Sequence, residues 1–251
     1  MSDFYCDTHC HLDLFPRIEM VPYIENAHPI KTISVTNAPF VFTHNVELFK
    51  DCRNIRVALG LHPELAFRYE QTADQFESLI ERTRYIGEIG IDGSTRFKES
   101  YTTQYRVLDK LLSTVASASS KILTVHSRGA AADIIELIHK KLRHTGHGVI
   151  LHWYTGDQKT LLKALEYGFF FSVNHKMLVS AKGRAIAAAI RHDRLLTETD
   201  APFTFDAQVK DRITSLKCTV DGLAHIHGIS TGEMKHLVFN NFKSLLGNSI
   251  D

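Results

Sequence analysis

The sequence predicts a single (β/α)8 barrel over residues 1–251, on three observations. The chain has the usual length of one such barrel, and its 44% hydrophobic residues are enough for one sizeable core. Short apolar runs alternate with segments of helical period, and histidines and carboxylates follow several of these runs. No linker or low-complexity segment interrupts the sequence, so we predict one domain.

Eight short apolar runs are predicted to be strands, because they are rich in β-branched residues and have glycine neighbours. In chain order they cover residues 4–7, 32–36, 56–60, 85–90, 122–126, 149–152, 168–173 and 195–198. Eight strands that alternate with helices favour a parallel barrel. A doubly wound open sheet is the alternative, but no GxGxxG follows any strand, which removes the usual sign of its dinucleotide-binding version.

The helices between the strands are predicted from caps and from apolar periodicity. The clearest cases are a capping box of Thr72 and Gln75, the periodic segment 130–143, Asp157 before a helix that ends at Gly168, and Ser230 with Glu233 before a helix that ends near Gly247.

Charge and cysteine usage exclude several classes of protein. Lys and Arg number 29 and Asp and Glu number 28, so a formal net charge of +1 does not fit a strongly basic protein that coats duplex DNA. The four cysteines show no CxxC spacing and are expected to be reduced thiols. The N-terminal residues do not resemble a signal peptide, and no apolar run is long enough for a membrane helix. We therefore expect a cytoplasmic protein without a membrane partner.

Metal-binding residue types lie at the predicted strand ends, where the active sites of such barrels are found. His9 and His11 are two apart on an extended segment, so both side chains leave on one face and can hold one ion. Imidazoles and carboxylates suit Zn²⁺ or Mn²⁺, and a carboxylate-rich site also takes Mg²⁺. The sequence thus predicts a site for one or two divalent cations, with these ligands: His9, His11, Glu88, His126, His152 and Asp200.

Structural roles compete with functional ones at several of these positions. An isolated HxH is a weak motif, but a carboxylate such as Glu88 inside an apolar run would be costly to bury without a partner. Asp7 is expected to orient a ligand histidine. His62 could simply end a strand, and Arg128 could be a solvated cation at the start of a helix.

Two further predictions concern neighbours of the ligands. Asp13 is equally suited to capping a helix and to a role in the metal site. Cys10 should be a packed thiol that points away from the ligands. Trp153 and Tyr154 should either stack on bases or pack in the core or at the rim.

An ordered set of motifs resembles the TatD-type metal-dependent deoxyribonucleases. The motifs span nearly the whole chain and occur in the family's order: Asp7-x-His9-x-His11-Leu12-Asp13, Gly60-x-His62-Pro63, Gly87-Glu88-Ile89-Gly90-x-Asp92, His126-Ser127-Arg128, His152-x-x-x-Gly156 and Glu198-Thr199-Asp200-Ala201-Pro202. The resemblance implies a TIM-like barrel that hydrolyses phosphodiester bonds of DNA, single-stranded or at its ends.

The resemblance also implies a role for each residue. His9, His11, Glu88 and Asp200 would hold a first ion, and Glu88 would bridge it to a second ion held with His126 and His152. Asp200 would also orient or deprotonate the attacking water. His62 and Arg128 would contact the substrate phosphate or the transition state, so Asp200, Glu88 and His62 are the predicted catalytic residues.

Some rim residues depart from the common family pattern. Gly93 stands where an aromatic residue is usual, and residues 153–155 and 171–177 are also atypical. With residues 12–15 and 58–63 they resemble QatD-type proteins, which are TatD-like components of a bacterial anti-phage system. The expected partners are therefore a DNA or nucleotide substrate and other proteins of a defence operon.

The sequence leaves two other functions open. One is an amidohydrolase or lactonase on a related barrel, although many of those enzymes have a carboxylated lysine where this chain has Glu88. The other is a non-catalytic binding subunit of a defence complex, although the chain retains every expected ligand.

Overall fold

The predicted (β/α)8 architecture is confirmed by a computed structural model, which describes residues 4–66 and 72–247. The eight strands are β1 (Tyr5–Cys10), β2 (Ile30–Ser34), β3 (Ile55–Val57), β4 (Tyr85–Gly90), β5 (Ile122–His126), β6 (Gly148–His152), β7 (Phe170–Val173) and β8 (Leu195–Thr197). All of the neighbouring pairs are parallel, from β1 to β3 and from β4 to β8.

Two connections close the sheet on itself. A bridge between Leu59 and Ile86 joins the first run of strands to the second. At the other seam, Thr8 Oγ1 donates to Thr197 O at 3.1 Å, and the Asp200 N–H donates to His9 O at 2.8 Å. The carboxyl ends of all eight strands therefore meet at one end of the barrel.

Helices surround the strands. They are α1 (Val21–Asn26), α2 (Pro39–Leu48), α3 (Pro63–Ala66), α4 (Ala73–Leu79), α5 (Tyr101–Ala116), α6 (Ala131–Leu142), α7 (Gln158–Glu166), α8 (His175–Val179), α9 (Ala181–Ala189), α10 (Arg212–His227) and α11 (Thr231–Leu245). Among the helices in the described ranges, none has the length and apolarity needed to cross a bilayer.

The helix caps agree with the sequence at two of three predicted positions. Asp157 accepts a hydrogen bond from Thr160 N at the start of α7, and Ser230 and Glu233 form a full capping box on α11. Thr72 makes no such bond, so the box predicted there is wrong. Its φ of −81° and ψ of −1° are already helical, whereas a capping residue is normally extended.

Strands β1 and β3 differ from their predicted bounds, and both differences lie beside residues of the predicted metal site. An irregularity in the pairing of β1 between Asp7 and Cys10 lets this strand run past His9. Strand β3 stops at Val57, and the next residues approach β4 so closely that a Cβ at Gly60 would lie 2.4 Å from Glu88 N. Only glycine permits this approach.

Candidate metal centre

A cavity of about 550 Å³ opens at the carboxyl ends of the strands. Seven of the predicted site residues line it: His11, His62, Glu88, His126, Arg128, His152 and Asp200. His9 has no solvent exposure, and its ring stacks on that of His152 with centroids 3.7 Å apart. The fold thus brings together residues from both ends of the sequence.

An inner group of ligand atoms surrounds one oxygen of Glu88. His9 Nε2 and His11 Nε2 lie 3.4 and 3.3 Å from Glu88 Oε2, and they lie 3.7 and 3.5 Å from Asp200 Oδ1. Two ligand atoms that each bind a tetrahedral ion at about 2.1 Å are roughly 3.4 Å apart. These four side chains therefore have the spacing of atoms that share one cation.

An outer group surrounds the other oxygen of Glu88. His126 Nδ1 lies 2.9 Å, His152 Nε2 2.8 Å and His62 Nε2 3.4 Å from Glu88 Oε1. Each oxygen of this one carboxylate therefore faces a different set of histidines. That is the arrangement expected of a carboxylate that bridges two ions.

The ring nitrogens of His9 provide a test of whether the residues fit a metal. Its Nδ1 lies 2.7 Å from Thr124 Oγ1, whereas its fully buried Nε2 has no hydrogen-bond partner among the described residues. A buried polar atom without a partner calls for an explanation, and a cation supplies one. The set of imidazoles and carboxylates fits Zn²⁺, Mn²⁺ or Mg²⁺.

The pKa values of His9 and His11 show which of these histidines carries a proton beside the buried carboxylates. Burial, together with the nearby His152, lowers the pKa of His9 to about 4, so the ring is neutral at pH 7, which is the form that binds metals. Burial also opposes protonation of His11, but hydrogen bonds with Asp200 and Glu88 outweigh it and raise the pKa of His11 to about 9. Protons on histidine thus offset the buried carboxylates in the metal-free protein, a role that a cation would take over.

One carboxylate hydrogen-bonds to a histidine of the outer group, and a second lies at ion-pair distance from another. Asp92 Oδ2 lies 3.0 Å from His126 Nε2, and Glu198 Oε1 lies 3.7 Å from His152 Nδ1. Asn174 Nδ2 in turn donates to Glu198 Oε1 at 2.8 Å. Such partners fix the orientation of ligand rings and raise their basicity. Both carboxylates occur in the sequence motifs, but the motifs alone do not indicate a role for them.

Asp7 does not orient a ligand histidine, so that prediction is wrong. Its Oδ1 accepts from Thr199 N at 2.9 Å, and its Oδ2 accepts from Thr199 Oγ1 at 2.7 Å and from Arg212 Nε at 2.9 Å. Asp7 therefore holds the turn that carries Asp200. The buried Arg212 balances the charge of Asp7, and the sequence gave no sign of this contact because 205 residues separate the pair.

Asp13 takes neither of the two roles that the sequence left open. Its Oδ2 accepts a hydrogen bond from Asn45 Nδ2 at 3.0 Å, and its side chain caps no helix. It therefore links the segment after β1 to helix α2. Cys10 is a buried free thiol, as expected.

His62 and Arg128 both face the cavity. The Glu64 N–H donates to His62 Nδ1 at 3.2 Å, so the proton of the neutral ring resides on Nε2, on the side of Glu88. His62 is thus a hydrogen-bond donor in this arrangement. The guanidinium of Arg128 is exposed and makes no hydrogen bond or ion pair within residues 4–66 and 72–247.

Three aromatic residues near the cavity differ in how far they are exposed. Tyr154 is buried, and its hydroxyl donates to Asp157 O at 2.8 Å, so it packs in the core. Trp153 is half-buried and lines the cavity, with a positive φ of 37° that is unusual for a bulky residue. Phe203, which the sequence analysis missed, is 61% exposed at the mouth, and its ring meets that of His11 edge to face at 5.2 Å.

Comparison with known proteins places the chain among metal-dependent hydrolases. A family model described as "TatD related DNase" matches residues 6–247. An uncharacterized metal-dependent hydrolase of Buchnera aphidicola is 26% identical over 96% of this chain and 98% of its own, and a human deoxyribonuclease is 23% identical over 94% and 92%. The crystal structure of YJJV, a TatD homologue from Escherichia coli, is 22% identical, covers 98% of both chains and has a TM-score of 0.83.

Proposed function

The chain belongs to the TatD related DNase family and is a metal-dependent hydrolase, and from this premise we propose that it hydrolyses phosphodiester bonds of DNA, in single strands or at ends. The observation that carries the proposal is the position of Glu88, with one oxygen toward the inner group and the other toward the outer group. A site for two cations suits displacement at phosphorus, because it can stabilise both the attacking and the leaving oxygen.

The predicted ligands divide between two cations that share Glu88. His9, His11, Glu88 and Asp200 would hold one divalent cation, and Glu88, His126 and His152 would hold the second. When bound, the cations supply Lewis acidity and lower the pKa of a water molecule. Among the described residues that line the cavity there is no lysine, which is the residue that carboxylated-lysine amidohydrolases use to bridge their metals.

Three side chains act on the substrate and on water. The carboxylate of Asp200, at the edge of the cavity, orients the attacking water and accepts its proton. His62 donates the hydrogen bond of its Nε2–H to a phosphate oxygen, and Arg128 pairs with the phosphate through its free guanidinium.

Single-stranded DNA is the substrate form that the cavity favours. Arg128 is the single arginine or lysine among its described lining residues, and a chain of net charge +1 gains little affinity by neutralising many phosphates. Phe203 and Trp153 offer aromatic surface at the mouth, and stacking on such rings requires unpaired bases. The name of the human relative, a deoxyribonuclease, agrees with DNA as the substrate.

The proposal extends to a cytoplasmic role in an anti-phage system, together with other proteins of the same operon. Its support is the set of rim residues that depart from the family pattern, such as Gly93 and Trp153. The four free cysteines agree with a reducing compartment. Phage plating on cells that carry the whole operon tests this: Asp200→Asn in this chain should remove protection, and full protection by that variant would refute a catalytic role in defence.

Metal-reconstituted hydrolysis tests the activity itself. The protein is stripped with chelator, checked by elemental analysis and supplied with Zn²⁺, Mn²⁺ or Mg²⁺. Labelled single-stranded DNA, duplex DNA, nucleotides and a panel of cyclic amides and lactones are then compared. We expect hydrolysis of single-stranded DNA that depends on the cation. Turnover of an amide or lactone without cleavage of any phosphodiester, or full activity in the metal-free protein, would contradict the proposal.

A further inference from the structure

The amino end of the barrel, opposite the candidate metal centre, carries a second charged pocket. A cavity of about 290 Å³ lies there between the starts of β3 and β4 and the end of α2. It shares Arg56 and Tyr85 with a smaller pocket beside it. The described lining residues of the two pockets include no aspartate or glutamate, but they include six cations, here called the basic cluster: Lys31, Lys50, Arg53, Arg56, Arg82 and Arg84.

This concentration of one charge is unusual for the chain. Over the whole sequence 29 lysines and arginines stand against 28 aspartates and glutamates, so an average patch of surface is close to neutral. Lys50 forms an ion pair with Glu47 at the surface. Four other members of the cluster form no ion pair with any carboxylate in residues 4–66 and 72–247: Lys31, Arg53, Arg82 and Arg84. A bound anion would offset the repulsion among these cations.

Part of the basic cluster is also withdrawn from solvent. Lys31, Arg56 and Arg84 are half-buried, so water screens their charges less than it screens those of exposed side chains. Burial, together with the nearby charge of Arg56, lowers the pKa of Lys31. The pKa of a lysine falls where its charged form is disfavoured. The cluster therefore has a positive potential that the described carboxylates do not balance.

Arg84 is the member of the cluster whose position is best defined. The Ile122 N–H donates to Arg84 O at 2.9 Å. On the preceding residue, Thr83 Oγ1 donates to Val57 O at 2.9 Å and accepts from Tyr85 N at 3.1 Å. In the part of the chain that the structure describes, the guanidinium of Arg84 makes no hydrogen bond. Its five N–H donors are therefore held at a fixed backbone position and are available to a ligand.

The chemistry of the cluster favours phosphate over a single carboxylate. Arg56, Arg82 and Arg84 line the same cavity, and the planar fork of a guanidinium matches the oxygens of a phosphate in a bidentate manner. Several cations side by side suit an anion with more than one negative charge. The volume of the cavity is near the lower end of the range for small-ligand pockets, and apolar side chains such as Phe49 and Ile55 also line it.

We propose that the basic cluster binds a small phosphate-bearing ligand with at least two phosphate groups, at the end of the barrel away from the metal centre. No described residue lines both this site and the metal cavity, so the two sites are separate. The phosphates can come from inorganic pyrophosphate or from a nucleoside diphosphate, because both present the same group to the arginines. The proposal does not depend on the phosphodiesterase function.

Isothermal titration calorimetry of the metal-loaded protein tests this site. The probes are methylenediphosphonate and α,β-methylene-ADP, neither of which has a hydrolysable bridge between its phosphorus atoms, and elemental analysis confirms that the protein keeps its metals. We expect Arg84→Gln to weaken binding at least about tenfold, because it removes a charged donor that nothing else replaces. Arg84→Lys, which keeps the charge without the fork, should fall between the two. Tighter binding of the ADP analogue identifies a nucleotide as the source, and equal binding identifies pyrophosphate.

Two further arginines provide the controls. Arg143→Gln removes an exposed arginine that follows α6 at the same end of the barrel and lies outside both described linings, so it should leave binding unchanged. Arg128→Gln removes the arginine of the metal cavity and should retain the binding that depends on Arg84. Thermal unfolding checks that each variant is folded.

Three results would overturn the proposal. Absence of binding by the parent, or equal binding by the parent and Arg84→Gln, would refute the site. Loss of binding in Arg128→Gln but not in Arg84→Gln would assign the anion to the metal cavity. If neither probe binds, but Arg84→Gln weakens the binding of a single-stranded oligonucleotide and Arg143→Gln does not, the cluster contacts nucleic acid and the small ligand is excluded.

Discussion

The inner and outer groups share Glu88 but differ in how far solvent reaches them. The side chains of His9 and His11 are 0% and 2% exposed, whereas those of His62 and His126 are 15% and 16% exposed. The inner group lies at the seam where β1 meets the turn after β8, and it is held by backbone bonds such as that from His11 N to Ala201 O at 2.8 Å. The outer group comes from separate strand ends, and carboxylates lie beside two of its histidines.

This difference in solvent exposure indicates different roles for the cations of the two groups. A cation in the inner group would lie between His9 and His11, the two least exposed histidines of the centre. A cation in the outer group would face the cavity, where substrate, water and product exchange. Substitutions in each group, and in the carboxylate that they share, test whether the two groups behave as separate sites.

Glu88→Gln should have the largest effect, because it acts on both groups at once. Glutamine keeps the volume but removes the charge and leaves one good acceptor oxygen in place of two. We expect both cations to be lost, and activity to fall by more than the roughly 10²–10⁴-fold range of a general base. Elemental analysis counts the ions and anomalous diffraction locates them. Two fully occupied ions at unchanged positions would show that another group bridges them.

Asp200→Asn should lower turnover and weaken binding of the inner cation, because Asp200 belongs to the inner group, and it should spare the outer cation. The variant keeps the turn that Asp7 and Thr199 hold, but it loses the carboxylate that accepts the proton from water. We expect turnover to fall by roughly 10²–10⁴-fold while the outer cation remains bound. The measurement is kcat beside metal content, with thermal unfolding as the check on folding. Parental turnover in a folded, metal-loaded variant would exclude the proposed role of Asp200.

Glu198→Gln should affect the outer group alone. The variant removes the negative charge that lies 3.7 Å from His152 Nδ1, and changes in such neighbours of a ligand typically cost about 10–100-fold in metal affinity or activity. Titration with Zn²⁺ should show a weaker second site beside an unchanged first site. Asp92→Asn, which alters the partner of His126, provides an independent variant of the same group. Equal weakening of both sites would mean that the groups are not separate.

The sequence identified the residues that converge at the candidate centre far better than the residues that hold them in place. His9, His11, Glu88, His126, His152 and Asp200 could be found because the barrel gathers strand ends and because few other roles suit such residues there. The contact between Asp7 and Thr199 joins residues 192 positions apart, and nothing in either segment indicates it. The exposure of Phe203 likewise depends on tertiary packing. Local patterns do not encode such packing, which is why the predicted role of Asp7 was wrong.

Thr124→Val should have the smallest effect, and it should be confined to the inner group. Valine matches the shape of threonine but removes the oxygen that lies 2.7 Å from His9 Nδ1. When His9 Nε2 binds a cation, its Nδ1 carries the proton, and the variant leaves that buried donor unpaired at a cost of about 1–3 kcal/mol. We expect a lower unfolding temperature and an inner-site metal affinity reduced by up to about tenfold.

The matched control for this variant is Thr114→Val on α5, where the hydroxyl bonds only to Lys110 O of its own helix. This control should leave metal binding unchanged, because the helix lies outside the cavity lining. The outer site should keep its parental affinity in both variants, since Thr124 contacts His9 and none of the outer histidines through its hydroxyl. A Thr124→Val protein that loses outer metal before inner metal would reverse the assignment, because His9 would then support the outer group.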